Sequence, residues 1–425
     1  MILRARSVVP VTAPSIPDGA VWISGDHIRA VGPWSEIRES ASGPVVDLGD
    51  AAIFPGLVNA HCHLDYTGMA GQLQPPRAFP DWIKGILTLK SQWYDDEFAE
   101  SWLAGARQLL QGGVTTVVNI ESRGHQLAAL RAATPLRIFS CLEVTGVRSA
   151  REPERLLEEA VQTLTSLPPI RGGIGLSPHA PYSTTPDLLR LVADAARRDG
   201  WRLTTHVAES ESEFDMFTYR RGPMFSWLDG QRPMEDCGLG SPVQHMHRCG
   251  LLGPAMLAVH VNYLWRDDAR LLAARGAAVA HCPRSHAYFG HRRFPREELT
   301  EAGVPICLGT DSLASVRNGR SPDTVLSMVA EMRQALAADP ALPPRRLVAE
   351  STANPARALG LRSVIGGLQT YSLADLLVIP HDGSTWSAEE ALIHHAGPVG
   401  ATLVAGRWEW ISPSFRDRIP QELLR

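Results

Sequence analysis

Short apolar runs rich in β-branched residues alternate with amphipathic stretches through the middle of the chain. Eight such runs, each closing in polar residues, fall at 53–60, 115–122, 137–144, 172–180, 202–209, 256–263, 277–285 and 304–312. Between them, 154–167, 186–198 and 267–275 carry apolar residues at helical spacing. Alternation of strands and helices predicts a parallel sheet. At roughly 33 residues per unit, eight units suit a closed (β/α)8 barrel, whereas an open doubly wound sheet seldom needs eight strands.

The two ends read differently. Residues 20–24, 28–31 and 45–48 are short alternating runs broken by Gly, Pro and Asp, the grammar of antiparallel β-structure, and the same texture returns at 376–379 and 401–411. Two fragments of this size are each too small for a core of their own, so one β domain completed by both termini is the economical inference. The expected fold class is α/β: a (β/α)8 TIM-type barrel with a small β-sandwich domain built from both chain ends. Its boundaries are 1–52 and 361–425 for the two halves of the sandwich and 53–360 for the barrel, with 322–360 helical.

Two connections exceed the usual 2–6 residues, 65–93 after the first strand and 210–255 after the fifth. Barrel enzymes build their pockets from loops at that end. The second holds Met216, Phe217, Tyr219, Met224, Phe225 and Trp227, which suits either a lid over a planar ligand or a helical subdomain with its own core.

Composition narrows the partners. Of 425 residues, 44% are apolar and 20% charged, which excludes a mainly disordered chain, and a net charge of −4 gives no electrostatic reason to expect nucleic acid or an anionic membrane. A small-molecule substrate, a nucleoside or base, is expected. The six cysteines include no C-x-x-C pair, so neither a zinc ribbon nor a dithiol site is supported. With no apolar leader and no run of 18 apolar residues, a cytoplasmic protein is expected. A homodimer is compatible with the sequence.

Candidate chemistry gathers at the strand ends. The first run ends in His61-Cys62-His63, and side chains two apart on a strand share a side, so both imidazoles can reach one ion. His179 closes the fourth run, His206 and Glu209 the fifth, His260 the sixth, His281 the seventh and Asp311 the eighth. Barrel interiors are filled by Val, Ile and Leu, so this many imidazoles would be costly without hydrogen bonds or a cation. His61, His63, His206 and Asp311 make an N3O donor set with room for a water, as catalytic Zn2+ prefers; Fe2+ suits the same donors. The ion would turn that water into hydroxide near neutral pH. Glu209, at the mouth, can take the water's proton and deliver it to a ring nitrogen, as hydrolytic deamination requires. His260 would hydrogen-bond the hydroxide or the developing oxyanion. No lysine stands near the end of the fourth run to bridge two metals, which favours one ion and frees His179 for substrate. Asp65 could meet a ribose hydroxyl or ring nitrogen or simply stabilise its loop, and Arg77, Trp82 and Lys84 are further contact candidates.

Four segments, 55–63, 177–183, 205–210 and 308–312, resemble in order the motifs of the amidohydrolase superfamily, and the nearest group is its mononuclear zinc aminohydrolases. The likeness covers nearly the whole chain. It implies His61, His63, His206 and Asp311 as zinc ligands, Asp311 also holding the nucleophilic water, Glu209 as proton shuttle and His260 as electrostatic partner. The strand-seven segment His281-Cys282-Pro283-Arg284-Ser285-His286-Ala287-Tyr288-Phe289-Gly290 is similar to the branch that deaminates 6-amino-6-deoxyfutalosine on one route to menaquinone. That substrate carries a benzoate, which Arg284 could pair with while Tyr288 or Phe289 packs against the ring. Ser312, beside Asp311, is another contact candidate. The expected reaction is attack of metal-bound hydroxide at C6 with release of ammonia. Deaminases of S-adenosylhomocysteine, methylthioadenosine, adenosine, guanine or cytosine, an amidase or chlorohydrolase on the same metal scaffold, and a non-enzymatic scaffold are the alternatives. A scaffold would be signalled by lost ligands, and none is missing.

Overall fold

Gly56 divides what reads as one apolar run between two sheets. The computed structural model describes residues 1–147, 151–169, 171–317 and 324–424. Its strands are β1 (Ile2–Val8), β2 (Ile16–Ser24), β3 (His27–Pro33), β4 (Val45–Asp47), β5 (Ala51–Pro55), β6 (Leu57–Cys62), β7 (Val114–Glu121) and β8 (Arg137–Val144). They continue as β9 (Gly172–Pro178), β10 (Arg202–Val207), β11 (Met256–His260), β12 (Ala278–His281), β13 (Ile306–Leu308), β14 (Leu376–Pro380), β15 (Ala401–Val404) and β16 (Arg407–Ile411). Residues 53–55, expected to open the first barrel strand, pair instead with β1 and β14. The crossing is tight. A Cβ on Gly56 would stand 2.2 Å from Thr115 Oγ1, so no side chain fits where the chain leaves one sheet for the other.

Strands β6 to β13 form a parallel sheet in sequence order. It closes on itself where Thr310 and Asp311 each donate a backbone N–H to His61 O at 3.0 Å and Cys62 bridges to Asp311. Val58, Val118, Ile120, Phe139, Cys141, Val259 and Ala280 pack together as one buried cluster inside it, the filled interior that such barrels have. The helix Pro186–Asp199 shows how the outer layer is specified: Thr185 caps it by accepting from Leu188 N, Gly200 ends it at φ 68°, and Leu188, Leu189, Val192 and Ala196 face the sheet. The stretch read as helical from 322 forms helices at Met328–Ala338, Pro344–Glu350 and Ala353–Ala358; its first two residues lie outside the described ones.

The chain ends combine as expected, in an eight-stranded sheet ordered β16-β15-β14-β5-β1-β2-β3 with β4 on β1. It is mixed, because β4 and β5 run parallel to β1. The run 401–411 is a hairpin that turns at Ala405 and Gly406, both at positive φ.

The long connection after β10 folds into helices Glu211–Tyr219, Gly222–Leu228 and Pro242–Arg248. Met216, Phe217, Met224 and Leu228 pack with Phe79, Ile83 and Tyr182 in a core of their own. All six cysteines are free and buried. Among the described residues no helix is long and apolar enough to cross a membrane.

Candidate metal centre and active site

His61, His63, His206 and Asp311 meet at the C-terminal mouth of the barrel, although they come from β6, the turn after it, β10 and the residues after β13. His63 Nε2 lies 3.3 Å from His206 Nε2, and Asp311 Oδ1 lies 3.6 Å from His61 Nε2 and 3.7 Å from His63 Nε2. Donors about 2.0–2.1 Å from a tetrahedral ion stand roughly 3.4 Å apart, so these separations are those of a coordination shell. Protonation states agree. His206 Nδ1 faces His179 O at 2.7 Å, and a carbonyl only accepts, so the hydrogen sits on Nδ1 and Nε2 keeps its lone pair. Burial, and then the neighbouring imidazoles, hold His63 and His206 neutral well below the usual range. Both ring nitrogens of His61 are buried without a hydrogen-bond partner. An orphaned imidazole beside two others and a carboxylate fits a divalent cation.

Close packing supports the first ligand. A Cβ on Gly309 would stand 2.9 Å from His61 Cβ, N and O. Gly309→Ala must therefore displace His61, and we expect zinc affinity to fall by about tenfold or more, as measured by competition with a chelator. Unchanged affinity would show that His61 has slack.

Glu209 and His260 complete the centre. Glu209, His260 and Asp311 have ligand atoms all within 4.8 Å of one another, and His260 Nε2 lies 3.5 Å from Glu209 Oε1. The Glu209 peptide is clamped from both sides: Glu213 accepts from Ala208 N at 3.0 Å and Glu209 N at 2.9 Å, while Asn262 Nδ2 donates to Glu209 O at 2.9 Å. Ala208, His260, Val261 and Asp311 all take positive φ. For the β-branched Val261 this is a real outlier, and such strain clusters where function requires it. Burial, then Asp311 and Glu213, raises the Glu209 carboxyl well above its usual range. Burial lowers His260 to about 3.

A cavity of about 180 Å³ opens over this centre. His179 and Ser312 line it, as do Glu209 and Asp311. Trp82 lines it too, whereas Lys84 pairs with Asp81 at 3.5 Å and Arg77 stands apart. Asp65, Tyr288 and Arg284 do not reach it either. Asp65 is buried behind the wall, accepting from Ser122 Oγ, and its backbone carbonyl accepts from Ser101 Oγ. Tyr288 is buried on the helix Pro283–Phe289. Arg284 turns away on the same helix: its Nε donates to Glu331 Oε1, its backbone N–H to Glu331 Oε2 at 2.8 Å, and Nη1 to Val325 O at 3.0 Å. Helix formation directly at Pro283 is the cause, because it carries Arg284 toward the helix Met328–Ala338 rather than the mouth. Arg284→Ala should then cost about 3–5 kcal/mol of stability by stranding buried Glu331, seen in denaturant unfolding. A selective rise in KM for carboxylate substrates without lost stability would contradict this placement. His281 also faces away, its ring stacked on Phe294 at 3.8 Å.

Among the lining residues that sequence reasoning missed are Tyr66, Lys90 and Glu143. Tyr66 stacks on His63 with ring centroids 5.1 Å apart. Glu143 follows Phe139 and Cys141 on the inward side of β8, so the strand-end rule that found the histidines could have found it. Lys90 ends a helix within a long loop and gave no periodic signal.

A sequence profile described as the amidohydrolase family matches residues 52–408. A 5-methylthioadenosine/S-adenosylhomocysteine deaminase of Moorella thermoacetica is 28% identical, over 96% of this chain and 93% of its own. An adenosine deaminase from Xanthomonas campestris with bound zinc is similar in structure, with a TM-score of 0.82 and 25% identity across 100% of this chain and 95% of that one. Helicobacter pylori aminofutalosine deaminase in complex with methylthio-coformycin has a TM-score of 0.83 at 21% identity, covering 96% of this chain and 100% of its own, a likeness of fold.

Proposed function

This chain belongs to the amidohydrolase family, and we propose that it is a zinc-dependent deaminase of adenine-type nucleosides. The observation that carries this reading is Glu209, a buried carboxyl 3.5 Å from His260 on the cavity side of three imidazoles and an aspartate. His61, His63, His206 and Asp311 would hold the ion. Zinc bound there supplies the Lewis acidity that makes water nucleophilic near neutral pH. Glu209 takes the proton that the attacking water sheds and hands it to the ring nitrogen beside the carbon that bears the amino group. Burial raises its affinity for a proton, the direction in which a carboxylate becomes a better acceptor from water. Neutral His260 has one N–H to give to the oxygen as charge grows on it. The proton left on the added hydroxyl goes to the amino group, the C–N bond breaks as that oxygen becomes a ring carbonyl, and ammonia leaves. Trp82, Ile86, Trp227 and Leu228 make an apolar slot for the base and keep bulk water from it.

Within the class, 6-amino-6-deoxyfutalosine is our leading substrate, supported by the motif at 281–290; S-adenosylhomocysteine follows, supported by the name of the Moorella relative. The test is ammonia release by the zinc-loaded protein from adenosine, aminofutalosine, methylthioadenosine, S-adenosylhomocysteine, guanine and cytosine. At least one adenine nucleoside should be turned over with kcat/KM above about 10⁴ M⁻¹s⁻¹. Ammonia from guanine or cytosine alone, or from none of the six, would overturn the reading.

A further inference from the structure

Two side chains of opposite charge line the cavity without pairing. Lys90, at the end of the helix Phe79–Lys90, donates from Nζ to Tyr66 Oη and lies 4.9 Å from that ring's centroid. No carboxylate oxygen of the described residues comes within 4.0 Å of it. Glu143 lines the same cavity with no hydrogen bond or ion pair to a described residue. Burial works against the Lys90 ammonium, but Tyr66, Glu143 and Asp65 more than offset it, so the group stays charged. Removing either charge from water under a bound ligand is costly unless the ligand meets it. A ligand that fills this cavity therefore presents an anion or strong acceptor to Lys90 and a donor to Glu143.

The location points to one part of the substrate. His63 faces the metal position, Tyr66 stacks on His63, and Lys90 donates to the hydroxyl of Tyr66, so one aromatic ring separates it from the ligand histidine. Lys90 and Glu209 line the same cavity without contact to each other, so a base held beside Glu209 leaves Lys90 to meet another part of the substrate. We propose that Lys90 and Glu143 form a specificity subsite in which Lys90 receives a carboxylate on the arm at the nucleoside's 5′ carbon and Glu143 accepts a hydrogen bond from a neighbouring hydroxyl or ammonium. This rests on the deaminase reading above. The carboxylate can belong to a benzoate or to an amino acid, and the recognition chemistry is shared.

Two matched pairs of nucleosides test it: S-adenosylhomocysteine against methylthioadenosine, and aminofutalosine against adenosine. For the wild type, kcat/KM should favour the carboxylate member of at least one pair by about tenfold or more, the size of one charge-assisted contact. Lys90→Met should lower that ratio about tenfold through KM, and Lys90→Arg should keep most of it. The pair that responds identifies the source of the carboxylate. Deamination without a carboxylate preference, or an equal loss on both members of each pair in Lys90→Met, overturns the subsite and leaves the deaminase reading standing. Ammonia from none of the four overturns both.

Discussion

Glu209→Gln should leave the protein folded and zinc-loaded while lowering kcat by about 10²–10⁴-fold, the usual size of a lost general acid–base step. The clamp around this residue explains why the fold should not notice. Glu213 and Asn262 hold the backbone of Glu209 and not its carboxyl, so the turn after β10 keeps its shape when the side chain changes. Burial already disfavours charge at this position, and a neutral amide of the same size removes that penalty. What the amide cannot do is accept a proton from water and pass it to a ring nitrogen. Turnover, zinc content and thermal midpoint measured on one preparation decide the matter. A variant that keeps zinc and works within threefold of wild type would remove Glu209 from the mechanism.

The centre was readable because its parts obey simple rules. His61 and His63 are two apart at a strand end, His206 and Asp311 close other strands, and three residues place Glu209 past His206 at the rim. The same rules account for the failures. Alternation along β12 sends Ala280 inward and so His281 outward, a parity that outweighs its place at a strand end. Arg284 depended on Glu331, 47 positions away, and nothing local indicates a partner at that distance. The division at Gly56 is a matter of room beside Thr115, which an unbroken apolar run conceals. Lys90 acquires its position from the folding of a long loop onto Tyr66, and loop conformation has no period to read. Core and metal ligands are thus set by repeating local geometry, whereas the residues that select a substrate are set by packing between distant segments.

Removing zinc should abolish activity and also destabilise the fold. In the metal-free protein His61 keeps two buried nitrogens without partners, and each such group costs about 1–3 kcal/mol. Asp311 is buried as a carboxylate; burial opposes its charge, and the imidazoles around it hold its pKa well below the usual range. A cation would meet one of the two His61 nitrogens, Nε2, and the Asp311 carboxylate together. By linkage, zinc at a thousand times its Kd adds about 4 kcal/mol to stability. Exhaustive chelation should accordingly lower the thermal midpoint by several degrees and take turnover below detection. One equivalent of Zn2+ should restore both. Fe2+ should restore activity as well, since three imidazoles and one carboxylate are borderline donors, and Mg2+ should not, since it demands octahedral oxygen ligands. His206→Ala should fail to recover with stoichiometric zinc, because β10 then contributes no donor to the ion. The opposite outcome is clear-cut: protein verified as metal-free that still turns over a nucleoside at the wild-type rate has a chemistry in which these four side chains have no part.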